Sequence, residues 1–223
     1  MQQRIASGKD AAQADSAKPA GGGPQIILGI DPSLRGTGYG VIDTAQAIPA
    51  TLCQGTIRCP ADWPLSRCMR KISETLEDIL QKTKPTIAAV EGLFYAQNIR
   101  TALVMGQARG AALATLARAE LDVFEIAPRK VKQAIVGYGA AQKEAVAKMV
   151  QTRLALPQLP EPDAADALAI ALTYAQSMDS PLLDPSIKPV EPSWLGQAQR
   201  GVLKLFRDCP EFTAPVVSFS GAT

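Results

Sequence analysis

The chain contains no histidine. That absence excludes every histidine-based catalytic triad, any acid–base scheme built on imidazole, and most zinc sites. Its four cysteines, Cys53, Cys59, Cys68 and Cys209, show no C-x-x-C spacing and read as ordinary thiols of a reducing compartment. No window approaches the roughly 18 continuous apolar residues of a membrane span. The first residues lack the apolar core of a secretory signal, so a cytoplasmic location is expected. The net charge of +2 is too small to signal a nucleic-acid partner by itself. Whatever chemistry occurs here must run on carboxylates, lysines, hydroxyls or thiols.

What is present is enough for one domain of ordinary size. The chain has 223 residues, 47 % of them hydrophobic, and such a length supports a real core. Both ends differ from the middle. Residues 1–24 are rich in Ala, Gly, Gln and Ser with almost nothing large and apolar. Such a segment cannot offset the entropy of being ordered and is expected to be a disordered tail. Residues 179–223 carry Pro181, Pro185, Pro189, Pro192, Pro210 and Pro215 and are expected to be an extension with one short helix near Leu195–Phe206. One compact domain remains, spanning 25–178.

Within it, apolar runs and period-two patterns predict strands over 26–31, 38–43, 51–58, 86–91 and 122–127. The first three are joined by short links that suit an antiparallel meander, with Pro32 and Gly36 in the first turn. Helical spacing appears over 64–83, where Leu65, Cys68, Met69, Ile72, Leu76 and Ile79 recur every three or four residues. Further helices are expected over 99–120, from Pro128 to 137, over 140–156, and over 161–177 with Pro162 in its first turn. Gly106 and Gly110, four apart, allow a neighbouring element to approach closely. The pattern is α/β: a five-stranded mixed sheet, strands 1–3 antiparallel, whose later strands are joined by helical crossovers.

Charge is unevenly spread along this framework. Between residues 125 and 153 there are six basic residues (Arg129, Lys130, Lys132, Lys143, Lys148 and Arg153) against two acids, Glu125 and Glu144. The acids of interest lie elsewhere. Asp31 ends the first strand, Glu91 ends the fourth, and Asp163 and Asp166 lie three apart on one face of the last helix. If strands 1 and 4 are parallel neighbours, their tips lie side by side, and a helix across that edge would bring four carboxylates together. Such a cluster repels itself unless cations sit between its members. Oxygen-only ligands suit Mg²⁺ or Mn²⁺. Two such ions about 3.5–4 Å apart can activate a water and stabilise the leaving oxygen of a phosphodiester. Taken singly, each acid has a plainer reading. Asp31 before Pro32 can initiate a turn, Asp163 can compensate the helix dipole, and Glu91 and Asp166 can be solvated. Spacing alone leaves both readings open.

The blocks "ILGIDPSLRGTGYGVI", "VEGLFYAQN", "GQARGAAL", "RKVKQAIVGYGAAQKEAV" and "DAADALAIAL", in this order and spacing, resemble the successive signatures of the RuvC family of Holliday junction resolvases. These are nucleases with the RNase H-like, retroviral-integrase-like fold. The resemblance covers residues 26–176. It implies that Asp31, Glu91, Asp163 and Asp166 are catalytic carboxylates holding two Mg²⁺ ions, with Mn²⁺ able to substitute. It implies that Lys132 and Lys143 are functional lysines, one placed to offset charge developing at the scissile phosphate. It also implies DNA contacts by Phe94, Arg100, Arg129, Lys130, Lys132 and Lys143. Phe94 would stack on a base at the opened crossover, worth about 1–3 kcal/mol, with Tyr95 beside it.

The same resemblance implies a homodimer that nicks two strands of like polarity symmetrically on a four-way junction, in recombination and repair, alongside RuvA and RuvB branch-migration partners. Two departures stand out. Ser33 follows Pro32 where many relatives have glycine, which is expected to restrict the backbone beside Asp31. Both tails lie outside the resemblance and receive no role. Two alternatives remain at this point: a module that binds branched DNA without cutting it, and a related nuclease acting on other branched DNA. A sugar-kinase-like ATPase also opens with a similar strand–turn–strand, but its second phosphate loop and glycine-rich adenosine stretch are absent and Asp163 and Asp166 would go unexplained.

Overall fold

The computed structural model describes residues 23–92, 99–178 and 187–190, with Ile99 and Arg100 described in their backbone only. Its elements follow the order β1 (Ile26–Asp31), β2 (Gly36–Asp43), β3 (Ala50–Arg58), α1 (Leu65–Thr83), β4 (Ile87–Glu91), α2 (Ile99–Arg118), β5 (Val123–Ile126), α3 (Pro128–Val136), α4 (Lys143–Arg153), α5 (Pro162–Met178) and β6 (Ile187–Pro189). The strands form one mixed sheet in the order β3-β2-β1-β4-β5-β6. β1, β2 and β3 pair antiparallel, as their short links require. β1–β4 and β4–β5 pair parallel, and α2 makes the crossover between the latter two. The sheet therefore has six strands rather than the expected five. The sixth, only three residues long, pairs antiparallel with β5 and is too short to carry an alternating pattern. The expected tail over 1–24 falls on residues of which all but 23 and 24 lie outside those described. The expected helix near Leu195–Phe206 lies outside them altogether.

Two apolar layers sandwich the sheet, because successive strand residues point to opposite faces. Leu28, Ile30, Val41, Ala88 and Val90 meet α1 and α2, which contribute Ile72, Leu76, Ala112 and Leu116. Each large aliphatic buried this way contributes about 1.5–3 kcal/mol. α1 buries one stripe (Cys68, Ile72, Leu76, Ile79) and stops at Lys84, whose left-handed backbone turns its N–H onto the Leu80 carbonyl. On the other face Ile27, Ile42, Ala89 and Ile126 meet α3, α4 and α5.

α5 is the helix that decides the site. It is apolar nearly all round, with residues Ala164, Ala165 and Ala167 through Tyr174 buried, as befits a helix enclosed by sheet and helices. It packs on β1, β2 and β4 and against α3 and α4. It can lie so close because β1 and β2 offer glycines beneath it. A Cβ on Gly29 would lie 2.0 Å from the Ala167 carbonyl oxygen, and one on Gly38 would lie 1.9 Å from that of Asp163. No real side chain fits there, so helix main chain rests on strand main chain.

Candidate active site

Asp31 is two residues beyond Gly29 and opposite Gly38 in the β1–β2 register, so its side chain points to the α5 face. Glu91 is two residues beyond Ala89, and the parallel register sets Ile30 opposite Val90. The two acids therefore finish neighbouring parallel strands on the same face. Their carboxyl groups hydrogen-bond to one another. Burial, first, and then the charge and hydrogen bond of Asp31 push the Glu91 carboxyl up to about 8. Burial also raises Asp31, although its bond from Glu91 works in the opposite sense. Two ionised carboxylates in contact repel, so the pair retains a proton that separate carboxyls would release.

The turn after Asp31 is closed by a buried threonine. Thr37 Oγ1 donates to the Ser33 carbonyl at 2.5 Å and accepts from the Ser33 amide at 3.2 Å. Ser33 is not among the described non-glycine residues with positive φ, which are Lys84, Glu120 and Ala155. The expected restriction from serine is thus harmless, because the turn demands no left-handed backbone at that position.

α5 supplies the other two acids from its first turns. Asp166 accepts a hydrogen bond of 2.8 Å from Lys143 Nζ, and this bond is the main reason the Lys143 ammonium is raised. Lys143 is the first residue of α4, where the helix dipole disfavours a cation. Asp166 compensates for that placement. Asp163 lies about one turn earlier, toward β2, where its Oδ2 would stand 2.8 Å from a Cβ on Gly36. The charges of both α5 acids reach Asp31 and raise it.

A cavity of about 480 Å³ opens over this cluster, lined among others by Asp31, Glu91, Arg129, Lys132, Lys143 and Asp166. A larger one of about 800 Å³ lies at the opposite end of β1, lined by residues such as Gln25, Thr44, Arg153 and Met178. Among the described residues its lining includes no acid, so chemistry and not size selects the smaller cavity. α3 begins on Pro128, a residue suited to a first helical turn. Its Arg129 stem packs against Gly139, where a Cβ would lie 2.5 Å from Arg129 Cγ. Arg129 is exposed and Lys130, beside it on the same helix, is half-buried. Phe94 and Tyr95 lie outside the described residues, as does the side chain of Arg100.

The fold thus brings Asp31 and Glu91 into contact, with Asp166 and Asp163 within electrostatic reach. No three Asp, Glu or Cys side chains among the described residues stand close enough together to enclose an ion. The donor chemistry nonetheless fits a hard divalent cation. The pair at the strand tips is all oxygen, holds a proton against its ordinary tendency, and is balanced by one lysine. Such a pair accepts a cation where it now accepts a proton.

Spacing patterns missed one residue that touches this site. Arg109, from α2 on the far face of the sheet, is only 5 % exposed. It donates to the Glu91 carbonyl oxygen and, at 2.5 Å, to Glu125 Oε2. The available signal was that Arg109 carries the one charge in the otherwise uncharged stretch 101–117.

The chain is similar to known proteins over the whole of this domain. Residues 27–174 match the family model described as crossover junction endodeoxyribonuclease RuvC. The protein of that name from Heliobacterium modesticaldum is 46 % identical over 154 residues, covering 69 % of this chain and 95 % of the relative. That from Chromohalobacter salexigens is 43 % identical over 165 residues, covering 74 % and 88 %. A solved structure described as T. thermophilus RuvC in complex with Holliday junction substrate superposes with a TM-score of 0.67 at 32 % identity, covering 74 % of this chain and 99 % of that one. The yeast mitochondrial Holliday junction resolvase Ydc2 shares the fold, with a TM-score of 0.54 at 12 % identity. With strands, helices and acids placed as above, the chain belongs to the RuvC family of crossover junction endodeoxyribonucleases.

Proposed function

We propose that this chain resolves four-way DNA junctions by nicking two strands of like polarity, and that Asp31, Glu91, Asp163 and Asp166 hold the two divalent cations the hydrolysis needs. The observation that carries the reading is the Asp31–Glu91 contact at adjacent parallel strand tips beside the Lys143–Asp166 pair. Buried carboxyls forced together are costly to a fold and are retained where they act. When bound, Mg²⁺, or Mn²⁺ in its place, would supply an activated water and charge stabilisation for the leaving oxygen.

The chain's own residues do the rest. Glu91 gives up its proton on loading, and Lys143 leaves or relaxes its hold on Asp166, which frees its ammonium for the scissile phosphate. Lys132, lining the same cavity, offsets charge that develops on the phosphoryl oxygens. Arg129, Lys130 and Arg100 bind backbone phosphates, which fix register but read no sequence. Phe94 stacks on a base at the opened crossover.

Symmetric cutting needs two sites, and the outer face of α2 supports a homodimer. Leu103 is 62 % exposed, Met105 is also exposed, and a side chain on Gly106 or Gly110 would meet nothing within 4 Å. A second copy of α2 is the occupant we propose for that face. RuvA- and RuvB-type branch-migration partners and a cytoplasmic setting complete the reading. Among the described residues no helix is long and apolar enough to cross a membrane.

The deciding experiment uses a synthetic four-way junction with a homologous core, each strand labelled in turn, in Mg²⁺ or in EDTA. Paired nicks at symmetric positions, present only with metal, are the expected result. Tight binding without cutting in either Mg²⁺ or Mn²⁺ would overturn the reading in favour of a junction-binding module.

A further inference from the structure

The motif "GQARG" sits in the middle of α2, on the face of the sheet away from the acids, and the proposed chemistry leaves its arginine without a task. Arg109 is buried on the inner side of the helix while Gly106 and Gly110 have open space around them. Burial lowers the Arg109 guanidinium from its ordinary range, with Glu125 and Glu91 opposing that effect. A buried arginine is kept only where its partners are good, and here both partners bear on one short piece of chain. One nitrogen donates to the main-chain oxygen of Glu91 and the other to Glu125 Oε2.

Glu125 stands opposite Val90 in the β4–β5 register, so it shares the α2 face with Arg109. Its carboxylate lies against the residue after Glu91: a Cβ on Gly92 would be 2.9 Å from Glu125 Oε1. The β1–β4 pairing ends at Val90, one residue short of Glu91. From there the main chain is held by the Arg109 bond to the Glu91 carbonyl and by the Gly92 amide, which donates to the Ile126 carbonyl at 2.8 Å. With its carbonyl gripped from the far face, Glu91 presents its side chain to Asp31.

We propose that Arg109, braced by Glu125, is a positioning residue that fixes the end of β4 and so sets the reach of the Glu91 carboxylate. The proposal rests on the reading of Glu91 as a metal-holding acid. Arg109 itself touches no substrate. A role in stability alone would predict that a folded variant, well below its melting temperature, cuts and loads metal normally.

The test uses R109M, R109K, E125Q and, as reference, E91Q, each at a temperature well below its own Tm. Three quantities are measured: the single-turnover cleavage rate on a four-way junction at saturating protein, the junction Kd, and Mn²⁺ binding to the DNA-free protein by calorimetry. Misplacement of a reacting group by about 1 Å costs about 10²-fold in rate, and loss of a group that orients a ligand costs about 10–100-fold in metal affinity. R109M is expected to show both losses with an unchanged junction Kd. R109K, which keeps the charge but loses the planar fork that spans both partners, falls between, and E125Q loses least. Normal rate and Mn²⁺ affinity in R109M, with E91Q inactive, would make the arginine merely structural. Should R109M not fold, normal values in both R109K and E125Q would overturn the proposal equally. Normal cutting by E91Q would instead remove the reading of Glu91 on which the proposal stands.

Discussion

On the α1–α2 face the sheet is covered side chain against side chain, with Leu28, Ile30 and Val41 meeting Ile72, Leu76 and Leu116. On the α5 face β1 and β2 present Gly29 and Gly38, and the helix main chain comes down onto the strand main chain. The first face packs through side chains throughout. The second also buries aliphatics such as Ile27, Ile42 and Ile126, but gives up bulk for closeness where α5 crosses the glycines, and the strand tips beneath it hold acids. The comparison teaches that the aliphatic layer under α1 and α2 and the acids under α5 can be varied separately, so a mutation within that layer, away from Arg109 and Glu125, should leave the chemistry largely intact.

The sharpest way to press that contrast is at the strand tip. Asp31→Asn should abolish Mg²⁺-dependent cleavage while leaving junction binding and Tm nearly unchanged; near-normal cutting would remove Asp31 from the site. Lys143→Ala should slow cleavage by about 10²–10³-fold, the scale for removing one group that stabilises transition-state charge, as read by single-turnover kinetics. Smaller but more telling is a matched pair. Leu76→Ala on the first face should lower stability by about 2–5 kcal/mol in denaturant melts, with an unchanged cleavage rate in the cold. Gly38→Ala, adding one methyl against the Asp163 carbonyl, should cost about 1–3 kcal/mol by overpacking and lower the rate as well. Equal rates for both folded variants would erase the distinction between the faces.

The mildest effect is on pH. Glu91, held at about 8 by burial and Asp31, keeps a proton that the unfolded chain, with its carboxyl near 4.5, has already released. Its contribution to metal-free stability is therefore complete below about 4.5 and is lost as pH rises through about 8. Melts across that window should show Tm falling, and Glu91→Gln should flatten the fall. A slope unchanged by Glu91→Gln would assign the proton elsewhere.

Much of this was legible in the sequence, for a local reason. Apolar runs that end in Asp31 and Glu91 mark strands and their tips without reference to the rest of the chain. The stripe from Leu65 to Ile79 likewise gives α1 from spacing alone. That β1 and β4 are parallel neighbours could only be posed as a condition, because pairing is set by tertiary packing. β6, at three residues, has no period to read. Arg109 with Glu125, 16 residues apart, and Lys143 with Asp166, 23 apart, join different elements, and no local pattern announces which distant charges will meet. The glycine contacts were hidden too, since Gly29 and Gly38 look like strand weaknesses until the helix above them is seen.

The seat of α5 on those glycines has a mechanical consequence. Side-chain packing can adjust by switching rotamers, whereas main chain lying on main chain has none to switch. The offset between the strand-tip carboxyls and those of α5 is therefore a dimension of the backbone itself. It should drift little with temperature or with repacking of the aliphatic core. In engineering terms the chain has mounted its reactive groups beside a joint with no rotamers to give.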